Sequence, residues 1–468
     1  MTMMHQFRFS ALAFALCLAG TAQAQAQTPP APVPAPQGQT PPAGADQSGE
    51  LVVDVVGGIS APLGIAIPPM PAAAVTDTAA GRTDELGRQL AQIVTTDLRN
   101  SGLFNPAGAQ AMKPVEFGEV TAPVFDYWAG AHVSALVQGF VRGNSDGTLT
   151  VGCYLYDVFS RAELARQGFV VQPSDWRRAG HKCADMVYAK LTGEGPYFDS
   201  RMVYVSETGP KGKRIKRLAI MDQDGANHRF LTNGQSIVLT PRFAPNQQSI
   251  VYMSYLNERP AIYVYDIGSG AQRLLVNNPS LTFAPRVSPD GKWVLFSMAV
   301  AGNTDLYRVP MSGGSPQRLT ESPGIDTGGS YSPDGRRIVF ESDRSGGQQL
   351  YTMNADGTDQ QRISFGGGRY ATPVWSPRGD LIAFTKLSGN FRIGIMSPSG
   401  GGEKLLTNDW QDEGPSWSPN GRVLSFYRQG QGGGGKADLW SVDLTGVNER
   451  KIPTPLDGSD PGWGPLRP

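Results

Sequence analysis

The sequence predicts a small N-terminal α/β domain followed by a six-bladed β-propeller that the C-terminal strand closes. Three observations predict it: a repeat through the second half, complementary fragments at the two ends of that repeat region, and mixed helix and strand patterns before it. The repeat is anchored by RFAPNQQSIVYMS (242–254), RVSPDGKWVLFSM (286–298), SYSPDGRRIVFES (330–342), VWSPRGDLIAFTK (374–386) and SWSPNGRVLSFYR (416–428). Its prolines, Pro245, Pro289, Pro333, Pro377 and Pro419, lie 44, 44, 44 and 42 residues apart. A period of that length holds the four strands of one propeller blade.

Each part of the repeat has a physical reason. In Ser-Pro-Asp-Gly the proline presets φ at the second turn position and the glycine tolerates positive φ at the fourth, so a tight hairpin is expected. The runs that follow (293–297, 338–342, 381–385) suit a central buried strand. Strands centred on Tyr263, Tyr307, Tyr351 and Trp440 come next, then short edge strands such as Arg318-Leu319-Thr320 and Arg362-Ile363-Ser364, whose basic residues discourage sheet-to-sheet association. Residues 201–206, 215–221 and 228–232 supply three strands without an inner one. Asp460-Pro461-Gly462-Trp463-Gly464-Pro465 supplies an inner strand with nothing after it, and Trp463 precedes Pro465 as Trp417 precedes Pro419. Joined, the fragments make a sixth blade, giving a propeller over 200–468.

The N-terminal region divides in three. Residues 1–24 read as a signal peptide: Arg8 is a weakly basic start, 9–19 is an apolar run too short to span a bilayer, and small-x-small sites place cleavage near Ala24 or Ala26. Cys17 lies inside the run without a lipoprotein box around it, and no later segment is apolar enough to cross a membrane. Residues 25–49 are rich in Pro, Ala, Gln and Gly and form an extended tether. Residues 50–196 form the α/β domain. A strand is expected over 50–56 and a helix over 83–101, with Thr83 as its N-cap, Leu86, Leu90, Ile93, Val94 and Leu98 on one face, and Gly102 as its stop. Strands near 132–141, 147–158 and 164–172 and a helix over 174–191 complete it. Cys153, in a strand, and Cys183, on the helix face with Val187, are either a disulfide, as export permits, or two small buried side chains.

The chemistry-like signals are weak. Lys+Arg and Asp+Glu balance at 41 each, so a general polyanion binder is excluded and no nucleic-acid partner is expected. The stretch from Gly430 to Ala437 fits G-x-G-x-x-G, and fits a P-loop apart from Ala437, but a strand rather than a helix is expected after it. Lys211, Lys213, Arg214, Lys216 and Arg217 read as a solvated face, and Asp222-Gln223-Asp224-Gly225 as a turn without the distal Glu of a calcium loop. His132, His181 and His228 lack zinc-site spacing, and no nucleophile elbow occurs. No cofactor and no catalytic residue is therefore expected. Asp326, Asp412, Glu413 and Asp460, near the inner-strand starts, either ring the axial opening or are ordinary solvated loop acids.

Propeller loops alternate between two faces. The loops leading into the inner strands share one face, with Leu281, Thr282, Phe283 and Ala284; Ile325, Asp326 and Thr327; Arg369, Tyr370 and Ala371; and Asp412 and Glu413. Apolar and aromatic side chains beside acids suit a protein partner. A propeller enzyme (a lyase or a peptidase accessory) and a cell-wall polysaccharide binder are the alternatives.

The chain resembles the TolB family, the periplasmic component of the Tol–Pal system of Gram-negative bacteria. The resemblance is carried by Asp97-Leu98-Arg99-Asn100-Ser101-Gly102-Leu103-Phe104, Ala179-Gly180-His181-Lys182, Lys190-Leu191-Thr192-Gly193-Glu194 followed by Arg201-Met202-Val203-Tyr204-Val205-Ser206, and the SPDG-like repeats. It implies a non-enzymatic adaptor in the periplasm that binds the peptidoglycan-associated lipoprotein Pal at the propeller's axial face. Leu281, Ala284 and Thr327 match the contact positions, with Phe283, Asp326, Tyr370, Asp412 and Glu413 on the same face. It also implies that the N-terminal segment, here Glu50, Leu51, Val52 and Val53, engages TolA, within a complex that includes TolQ and TolR, in support of outer-membrane integrity and division.

Overall fold

The computed structural model describes residue 51 and residues 61–210, 212–430 and 436–468. The expected signal peptide, tether and 50–56 strand (apart from Leu51), with Glu50, Val52, Val53, Lys211 and residues 431–435, lie outside the described residues.

The α/β domain is built on a five-stranded sheet in the order Phe104–Pro106, Leu63–Ala66, Ala135–Gly143, Leu149–Asp157, Glu163–Val171. Leu63–Ala66 runs parallel to both of its neighbours. It was not foreseen, because LGIA is too short to show alternation. The other two pairings are antiparallel, and the expected turn at 144–147 joins two of these strands, with Gly147 at φ 83°. Helix α1 (Thr83–Asn100) buries the expected face, Leu86, Leu90, Ile93, Val94 and Leu98, and ends where Gly102 turns left-handed at φ 75°.

The N-cap expectation is corrected. Arg82 holds that position with no side-chain cap. The Thr83 hydroxyl instead donates to the Ala74 carbonyl (3.1 Å) and accepts from the Thr76 amide (3.0 Å), tying down the loop before the helix. Helix α2 (Phe125–Gly130) buries Trp128. Helix α3 (Trp176–Thr192) starts two residues later than expected, because Pro173–Asp175 form a 3₁₀ turn. Cys183 on α3 is disulfide-bonded to Cys153 in the Leu149–Asp157 strand, Cα atoms 5.8 Å apart, so the open alternative resolves to a covalent tie between helix and sheet. Asp185, two residues further on, accepts the amides of Tyr197, Phe198 and Asp199 at 2.7, 2.8 and 3.0 Å and so fixes the link to the propeller.

The propeller has six four-stranded blades. The inner strands of blades 1 to 5 are Val238–Phe243, Leu281–Val287, Asp326–Tyr331, Arg369–Trp375 and Asp412–Trp417. In blade 6 the C-terminal strand Asp457–Leu466 pairs antiparallel with Ser200–Thr208, with Gly462 opposite Val203 and Trp463 opposite Met202. The predicted closure of the ring by the two ends of the propeller region is therefore the observed one.

The Ser-Pro-Asp-Gly turn forms as expected. In blade 2 the Gly291 amide donates to the Ser288 carbonyl (2.9 Å), the Ser288 amide donates to the Trp293 carbonyl (2.8 Å), and Gly291 sits at φ 72°. In blade 1, Gln247 occupies the left-handed position at φ 58° without a glycine. A second device was not foreseen. Every inner strand carries a bulge near its middle, marked by a left-handed residue: Thr240, Ala284, Gly328, Thr372, Gly414 and Asp460, with φ between 47° and 67°. Four of the six are not glycine, so the ring stores backbone strain around its axis.

Candidate functional site

The two faces of the ring have different tasks. The α/β domain sits on the face of the Ser-Pro-Asp-Gly turns. Glu194 pairs with Arg378 (2.8 Å) and Arg422 (3.6 Å), Asn420 donates to the Gly195 carbonyl (2.8 Å), and Asn448 donates to the Asn100 carbonyl (2.8 Å). The opposite, axial face carries the loops into the inner strands.

The segments expected there as loops are the first residues of the inner strands. Leu281 pairs with Ala299, Asp326 with Ser342, Tyr370 with Lys386 and Asp412 with Arg428. Leu281, Phe283 and Ala284 are half-buried and reachable, whereas Asp326, Thr327, Tyr370, Asp412 and Glu413 are buried. The buried ones have internal partners. Thr327 donates to Glu341 (2.5 Å), whose other oxygen accepts the Thr372 amide of the next blade (2.7 Å). The Tyr370 hydroxyl donates to Glu403 (2.6 Å) and accepts from Lys386 (2.9 Å).

The acids are thus not solvated loop acids. Arg344 binds Asp326 (2.6 Å) and lies over Phe340 and Tyr351. Arg428 grips Asp412 with two bonds (2.6 and 2.9 Å), reaches Glu449 (2.7 Å), and lies over Phe426 and Trp440. Arg214 repeats the clamp on Asp457 (2.6 Å). Burial pushes the Asp326 and Asp412 carboxyls up despite their arginines, and does the same to Glu413 and Asp460. Within the basic run, Arg214 is therefore paired, Lys216 is bound to Glu207 (2.7 Å), and Arg217 lies over Phe230 (5.2 Å).

Beside exposed charged residues such as Glu258, Asp343 and Arg369, the axial face exposes apolar ones. Ile237, Ile325, Phe365, Trp410 and Leu456 lie in loops that lead into inner strands. Ile215, Leu256 and Val300 lie in the adjoining hairpins of the same face. Phe365 is the most exposed of them at 73%, and Trp410 is 44% exposed beside a shallow cavity of about 430 Å³ that Asn390, Asn408, Asp409 and Glu449 also line. Among the described propeller residues, eight large exposed apolar side chains lie on this face and Val447 on the other, an asymmetry that suits an interaction surface. Phe365 and Trp410 were missed in the sequence. They lie outside the repeat anchors, and their signal was an aromatic in a loop where neighbouring repeats place a small or polar residue.

The three histidines yield one cluster. Asp97, His181 and Asp224 bring ligand atoms within 4.8 Å of one another where α1, α3 and the Asp222–Gly225 turn of the propeller meet. His181 Nδ1 lies 2.6 Å from Asp97, Gln223 donates to the other Asp97 oxygen (2.8 Å), and Arg177 holds Asp224 (2.6 Å). Burial alone would lower His181, but the charge and hydrogen bond of Asp97, with Asp224 and Asp222, push it up to about 9. The cluster is an ionic joint between the two domains.

A rigid ring with one face occupied by its own domain and the other ringed by apolar side chains defines a binding scaffold of the two-domain propeller class. Comparison with known proteins gives the family. Residues 51–164 match the TolB amino-terminal domain, and residues 188–467 match the TolB beta propeller domain. The chain is 72% identical over 418 residues to the Tol-Pal system protein TolB of Zymomonas mobilis, covering 89% of this chain and 91% of the relative. It is 74% identical over 424 residues to that of Rhizorhabdus wittichii, covering 91% and 96%. The crystal structure of TolB from Acinetobacter baumannii superposes with a TM-score of 0.76 at 28% identity, over 89% of this chain and all of that one. The chain belongs to the TolB family, non-enzymatic propeller proteins of the Tol–Pal system.

Proposed function

We propose that this protein is a periplasmic adaptor that binds the peptidoglycan-associated lipoprotein Pal on the axial face of its propeller. The apolar ring carries the reading: Phe365 and Trp410 are exposed anchors on rigid blades, and Leu281, Phe283 and Ala284 extend the same surface toward the axis. Asp326, Thr327, Tyr370, Asp412 and Glu413 act behind that surface, holding the strand starts that display it. The N-terminal segment with Glu50, Leu51, Val52 and Val53 engages TolA, in an assembly with TolQ and TolR that supports outer-membrane integrity and division. Export follows signal-peptide cleavage near Ala24.

The test is binding of the mature chain to the soluble domain of a Pal-type lipoprotein. Phe365→Asp with Trp410→Asp is expected to weaken it at least thirtyfold, roughly the loss of one strong anchor, while Val447→Asp on the opposite face leaves it unchanged. Equal affinity of the axial double variant and the wild type would move the contact elsewhere. Absence of binding by the wild type would end the adaptor reading.

A further inference from the structure

Beneath the apolar face, the inner strands line the axial channel. The second residue after each left-handed bulge residue sits at one level of the ring. In blades 1 to 6 these residues are Arg242, Arg286, Ser330, Val374, Ser416 and Gly462, opposite Val251, Leu295, Val339, Ala383, Ser425 and Val203 of their own blades. Two arginines therefore occupy one level of the ring, on neighbouring inner strands.

Their surroundings differ. Arg242 Nη1 donates to the carbonyls of Pro241 (2.7 Å), Pro461 (3.2 Å) and Asp460 (3.4 Å), so it lies across the joint between the inner strands of blades 1 and 6. Among the described residues, no hydrogen bond, ion pair or aromatic face engages the Arg286 side chain. It is half-buried, so water still touches part of it. At the same level, the Ser330 hydroxyl accepts the Trp375 amide (3.2 Å) and the Ser416 hydroxyl accepts the Trp463 amide (2.9 Å), and each keeps its own proton for another acceptor. The level is thus rich in donors and poor in acceptors.

Electrostatics agree. Burial and the neighbouring Arg242 both disfavour the Arg286 charge, and no carboxylate offsets them. Asp460, the acid that acts on Arg242, accepts the Thr240 amide (3.4 Å) from the bulge above. A guanidinium does not shed its proton, so a cation left in this state is stabilised by an anion. We propose that the axial channel binds a small oxyanion, of the phosphate or carboxylate kind, between Arg286 and Arg242. Arg286 supplies the paired N–H groups that match two oxygens, and Arg242 supplies the second charge.

Titration calorimetry of the mature chain with inorganic phosphate, and separately with sulfate and acetate, at constant ionic strength in chloride tests this. Saturable binding near about 1 mM is expected, weakened at least about tenfold in Arg286→Gln, as for loss of a charge-assisted bidentate contact. The acetate titration tells a general carboxylate site from one for tetrahedral anions. Without added anion, Arg286→Gln should melt at or above the wild-type temperature, because it removes an unpaired charge, and phosphate should no longer raise its melting temperature. No saturable response of the wild type up to about 20 mM phosphate overturns the proposal. So does an Arg286→Gln variant that melts lower yet responds to phosphate as the wild type does, since Arg286 would then be structural.

Discussion

Replacing Trp463 by alanine is expected to loosen the propeller where its first and last strands meet. Trp463 is 8% exposed, its indole Nε1 donates to Ser200 Oγ (2.9 Å), its amide donates to Ser416 Oγ (2.9 Å), and its ring meets Tyr197 edge-on with centroids 6.1 Å apart. An indole of this burial removes about 200 Å² from water, which at ~25 cal/mol per Å² is an upper figure of about 5 kcal/mol. Ser200 Oγ keeps its bond to the Tyr197 carbonyl (2.6 Å), so losing the indole donor adds only about 1 kcal/mol. Losses of about 3–5 kcal/mol are expected for Trp463→Ala, and about 1–2 kcal/mol for Trp463→Phe, which keeps a ring. Urea unfolding followed by circular dichroism measures both. Limited proteolysis should show cleavage within Asp457–Leu466 before any other inner strand. A loss below about 1 kcal/mol, or unchanged proteolysis, refutes the closure argument.

Three further outcomes follow from the same geometry. Cys153→Ser with Cys183→Ser opens a link across 30 residues and should cost about 3–4 kcal/mol, with reduction of the wild type reproducing the loss in a melt. Arg428→Met leaves the fully buried Asp412 without its bidentate partner and should cost about 3–5 kcal/mol in urea unfolding, part of it recovered by adding Asp412→Asn. His181 is held at about 9 against its ordinary 6.5, so its contribution is fully present below pH 6.5 and lost as pH rises through 9. Melting temperatures from pH 6 to 10 should fall across that window and fall less in His181→Gln.

The repeat made the propeller legible because its parts answer local needs. Pro289 and Gly291 are there for a turn, and Trp293–Val300 for a buried strand, so each blade announces itself without knowledge of its neighbours. The closure was legible because 200–222 lacks an inner strand and 460–465 lacks everything else. Leu63–Ala66 was not, since a four-residue parallel strand between two others has no period to detect. The left-handed residues Thr240, Ala284, Thr372 and Asp460 were not legible either, because all four precede prolines in stretches that read as plain inner strands.

The axial face shows a different limit. Acids at the inner-strand starts looked like its chemistry because a carboxylate near a turn is usually solvated. In the fold, Arg344 and Arg428, each packed over aromatic faces, reach back along the hairpin to the buried Asp326 and Asp412, and Arg214 reaches the half-buried Asp457. Such a pair adds little net stability compared with an apolar filling, yet removing one partner is costly, so its use is to fix where the strand begins. The clamp holds the loop just before the strand in place, and that loop is where Ile325, Trp410 and Leu456 are displayed. The polar residues that stand out in the sequence are therefore the mounts, and the apolar residues that do not are what they mount.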